Sequence, residues 1–274
     1  MRMLFAIMSL SLPLLAVAQL RYPIQGVYNK RSAQGMAIYE DNAFLMSDGG
    51  YCRLLNLVTG EVTKSFSLAS ASENPHVNNA CFGIEKFKGS EYPVIYISEC
   101  RKEEFRCFVE SFDSVAHLRQ TIQAQINNKV SGVLIWAIDM DNRYLYSITR
   151  IKKTGITYNT ITKYRLPNIN EGKSVVLSEK DILDRFDVIF PNILQGCKVR
   201  GKYMYIVTGL QQSLCNREDA KRAIQVINLK EKKLAKTIDL TYVTTNEPED
   251  IDFYKGKCLL YCGQEGGIYE VKLK

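Results

Sequence analysis

The sequence predicts an all-β fold in which a four-stranded unit recurs and the units close into a ring. Three observations carry this expectation. First, Arg53–Leu68 and Gln225–Leu240 share one hairpin plan, with Asn56, Leu57, Val62, Lys64, Phe66 and Leu68 falling opposite Asn228, Leu229, Leu234, Lys236, Ile238 and Leu240. Self-similarity between distant stretches is the mark of a repeat architecture. Second, short runs of alternating aromatic and β-branched residues dominate the chain, separated by turns at Asp48-Gly-Gly50, Asp141-Asn142, Lys255-Gly256 and 263–267. Third, another motif precedes the hairpins: Gln34-Gly-Met-Ala-Ile38, Gln195-Gly-Cys-Lys-Val199 and Glu249-Asp-Ile-Asp-Phe253. Each is followed by a turn and a further strand, Phe44–Ser47, Tyr205–Thr208 and Leu259–Cys262.

Taken in order, the first unit runs from Gln34 to Leu68. Two looser copies follow, Asn78 to Ser98 continuing into Phe108–Phe112, and Val133 to Thr149 continuing into Thr160–Leu166. The fourth runs from Gln195 to Leu240 and the fifth from Glu249 onward. Five antiparallel units of about 50 residues match four-stranded blades. A sixth would fit if the interval between Leu166 and Gln195 held another, and a pair of packed sheets is the alternative architecture. The last unit reaches only a third strand, Ile268–Leu273. The N-terminal segment Tyr22–Tyr28 has strand character and is expected to supply the fourth, closing the ring and removing two exposed edges. Helical periodicity is confined to Ser178–Phe186 and Asn216–Ala220, where Ser178 and Asn216 can act as caps.

On this pattern the chain resembles the β-propeller superfamily, and within it the secreted bacterial propellers of the WD-repeat and YVTN-type groups. The most specific part is Leu-Asn-Leu-x-Thr-Gly-Glu at 55–61, while a Trp-Asp blade ending and a Tyr-Val-Thr-Asn motif are absent from the sequence. The resemblance implies a fold and leaves the chemistry open.

Arg2, an apolar run from Met3 to Leu15 and Ala16-Val17-Ala18 before Gln19 have the three parts of a secretory signal peptide. The expected mature chain is therefore 19–274, a single domain, released into a periplasm or outside the cell after cleavage of 1–18. The apolar run is shorter than the ~20 residues of a transmembrane helix, and no second long apolar segment follows, so no membrane span is expected in the mature chain. No Cys stands at the cleavage point to take a lipid.

The formal charge is +7, from 36 Lys and Arg against 29 Asp and Glu, and the basic residues are scattered through turns such as 230–233. That distribution argues against a nucleic-acid surface, which needs a clustered basic stripe. Eight cysteines in an oxidising compartment suggest disulfides, and Cys100 with Cys107, flanking the loop 101–106, is the preferred pair. Cys258 and Cys262 on one strand would lie ~13 Å apart, too far to bridge. No cysteine or histidine spacing supports a zinc site.

In such a ring the innermost strand of each unit lines the channel, so residues at its start converge on the axis. These are Gln34, His76, Asn78, Asn79, Trp136, Gln195, Glu249 and Asp250. Carboxamides and carboxyls together can hold a sugar, an amide or a cation. The plainer reading is that they satisfy backbone groups at tight turns. The expected function is a binding or interaction module whose partner is a glycan, a small molecule or an envelope protein. One alternative is a carbohydrate-active hydrolase pairing Glu249 or Asp250 with Asp139 or Glu85. Another is a structural partner in an envelope complex. No Gly-x-Ser-x-Gly elbow accompanies the two histidines, His76 and His117. No cofactor is expected, and calcium on Glu249, Asp250 and Asn78 stays open.

Overall fold

A computed structural model describes residues 18–23, 33–100, 105–125, 130–190, 193–211, 213, 220–263 and 267–273. The described chain forms a five-bladed β-propeller. The first strand, β1 (Ala18–Tyr22), belongs to the last blade. Blade I comprises β2 (Ala33–Tyr39), β3 (Asn42–Ser47), β4 (Tyr51–Asn56) and β5 (Val62–Ser67). Blade II comprises β6 (Val77–Phe82), β7 (Ile95–Glu99), β8 (Cys107–Phe112) and β9 (Ala116–Ala124). Blade III holds β10 (Val130–Asp139), β11 (Tyr144–Lys153) and β12 (Ile156–Arg165); next in the chain comes β13 (Ser174–Leu177), and β14 (Ile182–Val188) then completes that blade. Blade IV is β15 (Leu194–Arg200), β16 (Tyr203–Thr208), β17 (Ala223–Asn228) and β18 (Lys233–Asp239). Blade V is β19 (Pro248–Tyr254), β20 (Lys257–Cys262), β21 (Gly267–Val271) and β1. The inner strands β2, β6, β10, β15 and β19 touch in a closed circuit.

There is no single core. Each of five apolar clusters fills the wedge between two neighbouring blades: Phe44 with Phe82, Trp136 with Tyr96, Ile148 with Met204, Ile224 with Leu260, and Leu45 with Tyr261. Both faces of the inner strands are therefore buried, including polar residues such as Asn79, Lys198 and Asp250. The outer strands β5 and β18 are largely exposed and turn Thr63, Lys64, Lys233, Lys236 and Thr237 outward.

The repeated Asn-Leu pair has a physical cause. Asn56 Oδ1 accepts from the N–H groups of Val58 and Thr59, and Asn228 Oδ1 accepts from those of Lys230 and Glu231. The next residue in each, Leu57 or Leu229, donates its N–H to the β2–β3 turn at Asp41 O or to the β15–β16 turn at Lys202 O. The repeat thus marks the turn between third and fourth strands, pinned to the turn leaving the inner strand. Gly60 (φ +78°) and Lys232 (φ +55°) take the same left-handed position.

Ring closure follows the expected logic with a different segment. β1 pairs antiparallel with β21, Gln19 opposite Glu270 and Leu20 opposite Tyr269. The closing strand is Ala18–Tyr22, which shares only Tyr22 with the expected Tyr22–Tyr28; residues 24–28 of that segment lie outside the described residues. Of the predicted leader 1–18, residues 1–17 likewise lie outside them. No helix among the described residues is long and apolar enough to cross a membrane.

Among the described residues the interval after Leu166 holds no sixth blade. It crosses to the neighbouring blade, where β13 adds as a fifth strand parallel to β9, with Val175 opposite Ile122, and then returns as β14 on blade III. Ser178 and Asp181 form a capping box on one short 3-10 turn, Glu179–Asp181. The expected helix ends there, because Leu183, Phe186 and Val188 belong to the edge strand. The second expected helix, Asn216–Ala220, falls largely on residues 214–219, outside the described ones.

Cys100 and Cys107 are free thiols, as are the other described cysteines. The expected disulfide fails on register. Cys107 lies opposite Ser98, two residues before Cys100, and is buried in the wedge between blades II and III. Burial raises the pKa of the Cys107 thiol well above the ordinary value and that of Cys100 to about 12.

Candidate functional site

The start of each inner strand carries a register irregularity. Such bulges re-aim side chains and occur often beside functional sites. Just before the irregularity, Ala33, Val77, Leu194 and Pro248 pair with Ser47, Glu99, Thr208 and Cys262. The residues that follow, Gln34, Asn78, Gln195 and Glu249, are therefore structurally equivalent, and they ring what we term the leading mouth of the channel. All four are buried. Gln195 Nε2 donates to Gly209 O (3.1 Å) and to Glu247 Oε1 (2.6 Å). By contrast, Asn78 Oδ1 and Glu249 Oε2 are buried with no hydrogen-bond partner.

Asn79 and Asp250 lie one step further in and join blades across the axis. Asn79 donates to Trp136 O (2.7 Å) and accepts from the N–H of Cys197 (3.0 Å). Asp250 accepts from the N–H groups of Met36 (2.7 Å), Ala80 (3.2 Å) and Ile251 (2.8 Å). With both carboxylate oxygens engaged, Asp250 is a structural tie and a poor calcium ligand. Among the described residues no group of three or more His, Cys, Asp and Glu side chains could hold a metal.

Two expected members stand apart. Trp136 is deeper in β10, opposite Ser147, because that strand starts at Val130 and its irregularity spans 130–134. Its indole N–H donates to Phe105 O (3.0 Å), and the ring fills the wedge between blades II and III. His76 is exposed beside the mouth, with its carbonyl accepting from Cys100 N–H. The carboxylates considered for hydrolysis are not assembled as a pair. Asp139 caps the β10–β11 turn through Asn142, at the other end of the inner strands from Glu249, and Glu85 is bound to Asn168 and Ile169 in an outer loop.

The mouth is electrostatically unusual. Burial, then the neighbouring Glu247, Asp250 and Asp48, pushes the Glu249 carboxyl well above the usual carboxylate range. Burial also raises Glu247, against the opposing hydrogen bond from Gln195. Asp250 is raised by burial to about 8, a rise moderated by Lys198 and by the three backbone donors. Burial thus favours the protonated form of Glu249, in which a carboxyl can donate as well as accept. The sequence reading missed Glu247, which lies just before β19 in a stretch with no repeat signal.

At the trailing mouth, where the inner strands end, all five contribute to a cavity of about 360 Å³. Ile38, Phe82, Ile138, Val199 and Phe253 supply apolar wall. Beneath them Lys198 and Asp252 form a buried ion pair (3.0 Å), with Lys198 Nζ also donating to Ala80 O (2.7 Å). Burial alone would lower the Lys198 pKa, but Asp252 and its neighbours hold it above the ordinary lysine value. A sequence signal for this pair existed. Lys198 and Asp252 occupy the same place in the Gln195–Val199 and Glu249–Phe253 motifs, where blade I has Ala37.

The crystal structure of Myxococcus xanthus glutaminyl cyclase is similar to this chain, with a TM-score of 0.55 and 14% identity, over 94% of this chain and 96% of that one. At that identity the likeness shows the fold. No family model and no curated protein matches the chain.

Proposed function

We propose that the protein is a secreted or periplasmic binding module that takes a small hydrogen-bonding ligand at the leading mouth, through Gln34, Asn78, Gln195 and Glu249. One observation carries this reading: Asn78 Oδ1 and Glu249 Oε2, at equivalent positions of blades II and V on either side of blade I, are buried without partners. An unsatisfied buried polar group costs about 1–3 kcal/mol, and a ligand that supplies the missing bond recovers it. A neutral carboxyl beside carboxamides suits hydroxyl or amide groups, which both donate and accept. Glycans and small amides are the matching ligand classes. The test is a thermal-shift screen of glycans, small amides and divalent cations on the mature chain, repeated with Asn78→Ala and Glu249→Gln. A stabilising ligand whose effect both substitutions abolish supports the reading, and indifference of every hit to both substitutions sinks it.

A second reading, acid catalysis at the same mouth, is favoured by the burial that biases Glu249 toward its protonated form. The similar solved structure is that of a glutaminyl cyclase. Turnover of N-terminal glutaminyl peptides or of a polysaccharide panel, lost in Glu249→Gln, would establish it. Binding without turnover would favour the module. Secretion rests on the leader pattern at 1–18, and an intact N-terminus in exported protein would overturn it.

A further inference from the structure

The trailing mouth is a site in its own right, and its unspent charges say what it takes. We infer that it binds a zwitterion with an apolar body, namely a free amino acid with an apolar side chain or a short apolar peptide. The cavity of about 360 Å³ falls within the range of roughly 300–1,000 Å³ typical of small-molecule sites. Most of its charges are already satisfied. Lys198 is paired with Asp252 (3.0 Å), and Lys255 with Asp41 (2.8 Å).

Two charges are left. Asp141, in the β10–β11 turn of blade III, and Arg200, at the end of β15 in blade IV, both line the cavity and are exposed. Neither has an ion-pair partner among the described residues, and they do not pair with each other. The Arg200 guanidinium lies over the Phe253 ring, 4.6 Å from its centroid, which holds it at the wall while leaving its N–H fork available. An exposed Met140 and the buried Ile138 adjoin Asp141 in the same cavity.

A simple anion would engage Arg200 and leave Asp141 opposing it, and a simple cation would do the reverse. A zwitterion satisfies both: its carboxylate takes the planar fork of Arg200, its ammonium takes Asp141, and its side chain covers Phe82, Ile138 and Phe253.

The test is isothermal titration calorimetry of the full chain with leucyl-leucine, its N-acetyl form and its C-terminal amide. Leucyl-leucine is expected to bind, with each blocked form at least tenfold weaker. Arg200→Gln should erase the difference between acid and amide, and Asp141→Asn the difference between free and acetylated peptide. Both side chains are exposed, so folding is not at stake. Failure of leucyl-leucine and of free leucine and phenylalanine to bind would overturn the proposal. So would blocked forms binding as tightly as the free dipeptide, or free-dipeptide binding unaltered by both substitutions.

Discussion

Gly196 and Asp250 interlock at the channel axis: a Cβ on Gly196 would fall inside the carboxylate of Asp250. Through that close approach a side chain from blade V reaches backbone N–H groups of blades I and II while lying against blade IV. The axis is thus a hub of specific contacts.

Gly196→Ala is therefore expected to destabilise strongly. At an unstrained site the same change usually stabilises by ~0.4–1 kcal/mol through the unfolded chain. Overpacking here should outweigh that and cost about 3 kcal/mol. Urea unfolding gives the sign directly, and a more stable variant would mean the interlock does not exist.

Asp250→Ala removes the acceptor of the Met36, Ala80 and Ile251 N–H groups at a site that is fully buried. Each orphaned buried donor costs about 1–3 kcal/mol, so a loss of several kcal/mol is expected. Asp250→Asn keeps one acceptor oxygen and should lose roughly half as much. Equal midpoints for the two variants in chemical denaturation would contradict this account.

Stability should fall as pH rises from about 5 to 8. Glu249, Glu247 and Glu110 are raised by burial, and Asp250 stands at about 8. In that window the folded chain keeps at Asp250 a proton that the unfolded chain has released, a slope of up to about −1.4 kcal/mol per pH unit, and the three raised glutamates act in the same direction. Carboxylates lowered by partners at the surface, such as Glu171 and Asp184, act in the opposite sense below the ordinary carboxylate range. The melting temperature should thus peak near pH 5, and Glu249→Gln should flatten the decline above it. A profile that rises from pH 5 to 8 would contradict the raised carboxyls at the mouth.

Loss of the closing strand should be severe. Removing residues 18–22 strips β21 of its partner, the Arg21–Glu270 ion pair (2.7 Å) and the bond from Tyr22 OH to Leu57 O (2.6 Å) that ties blade V to blade I. A broad, early thermal transition is expected, with Tyr22→Phe alone costing about 1 kcal/mol. Unchanged unfolding of the truncated chain would refute closure.

The blade plan was legible because each unit repeats a local constraint. Asn56 and Asn228 close the same turn, and Gln34, Gln195 and Glu249 follow the same register break, so alignment found them as equivalents. Trp136 was misplaced because blade III lengthens its strands and shifts the break upstream. β13 was hidden because its partner, β9, precedes it by about fifty residues and belongs to another blade. The Cys100–Cys107 bridge was inferred from loop length, whereas strand register decides which side chains meet. The trailing mouth was overlooked since its charges, Asp141 and Arg200, look like ordinary turn residues until five strand ends are brought together.

The pairing of β1 with β21 also sets an order of events during biosynthesis. Ala18–Tyr22 must wait until Gly267–Val271 has been made before its partner exists. Until then blade V lacks its outer strand, and the ring can open at that seam. Contacts of such long sequence separation form late and slowly. The seam is therefore the last part of the ring to set, after the four blades that carry their own outer strands.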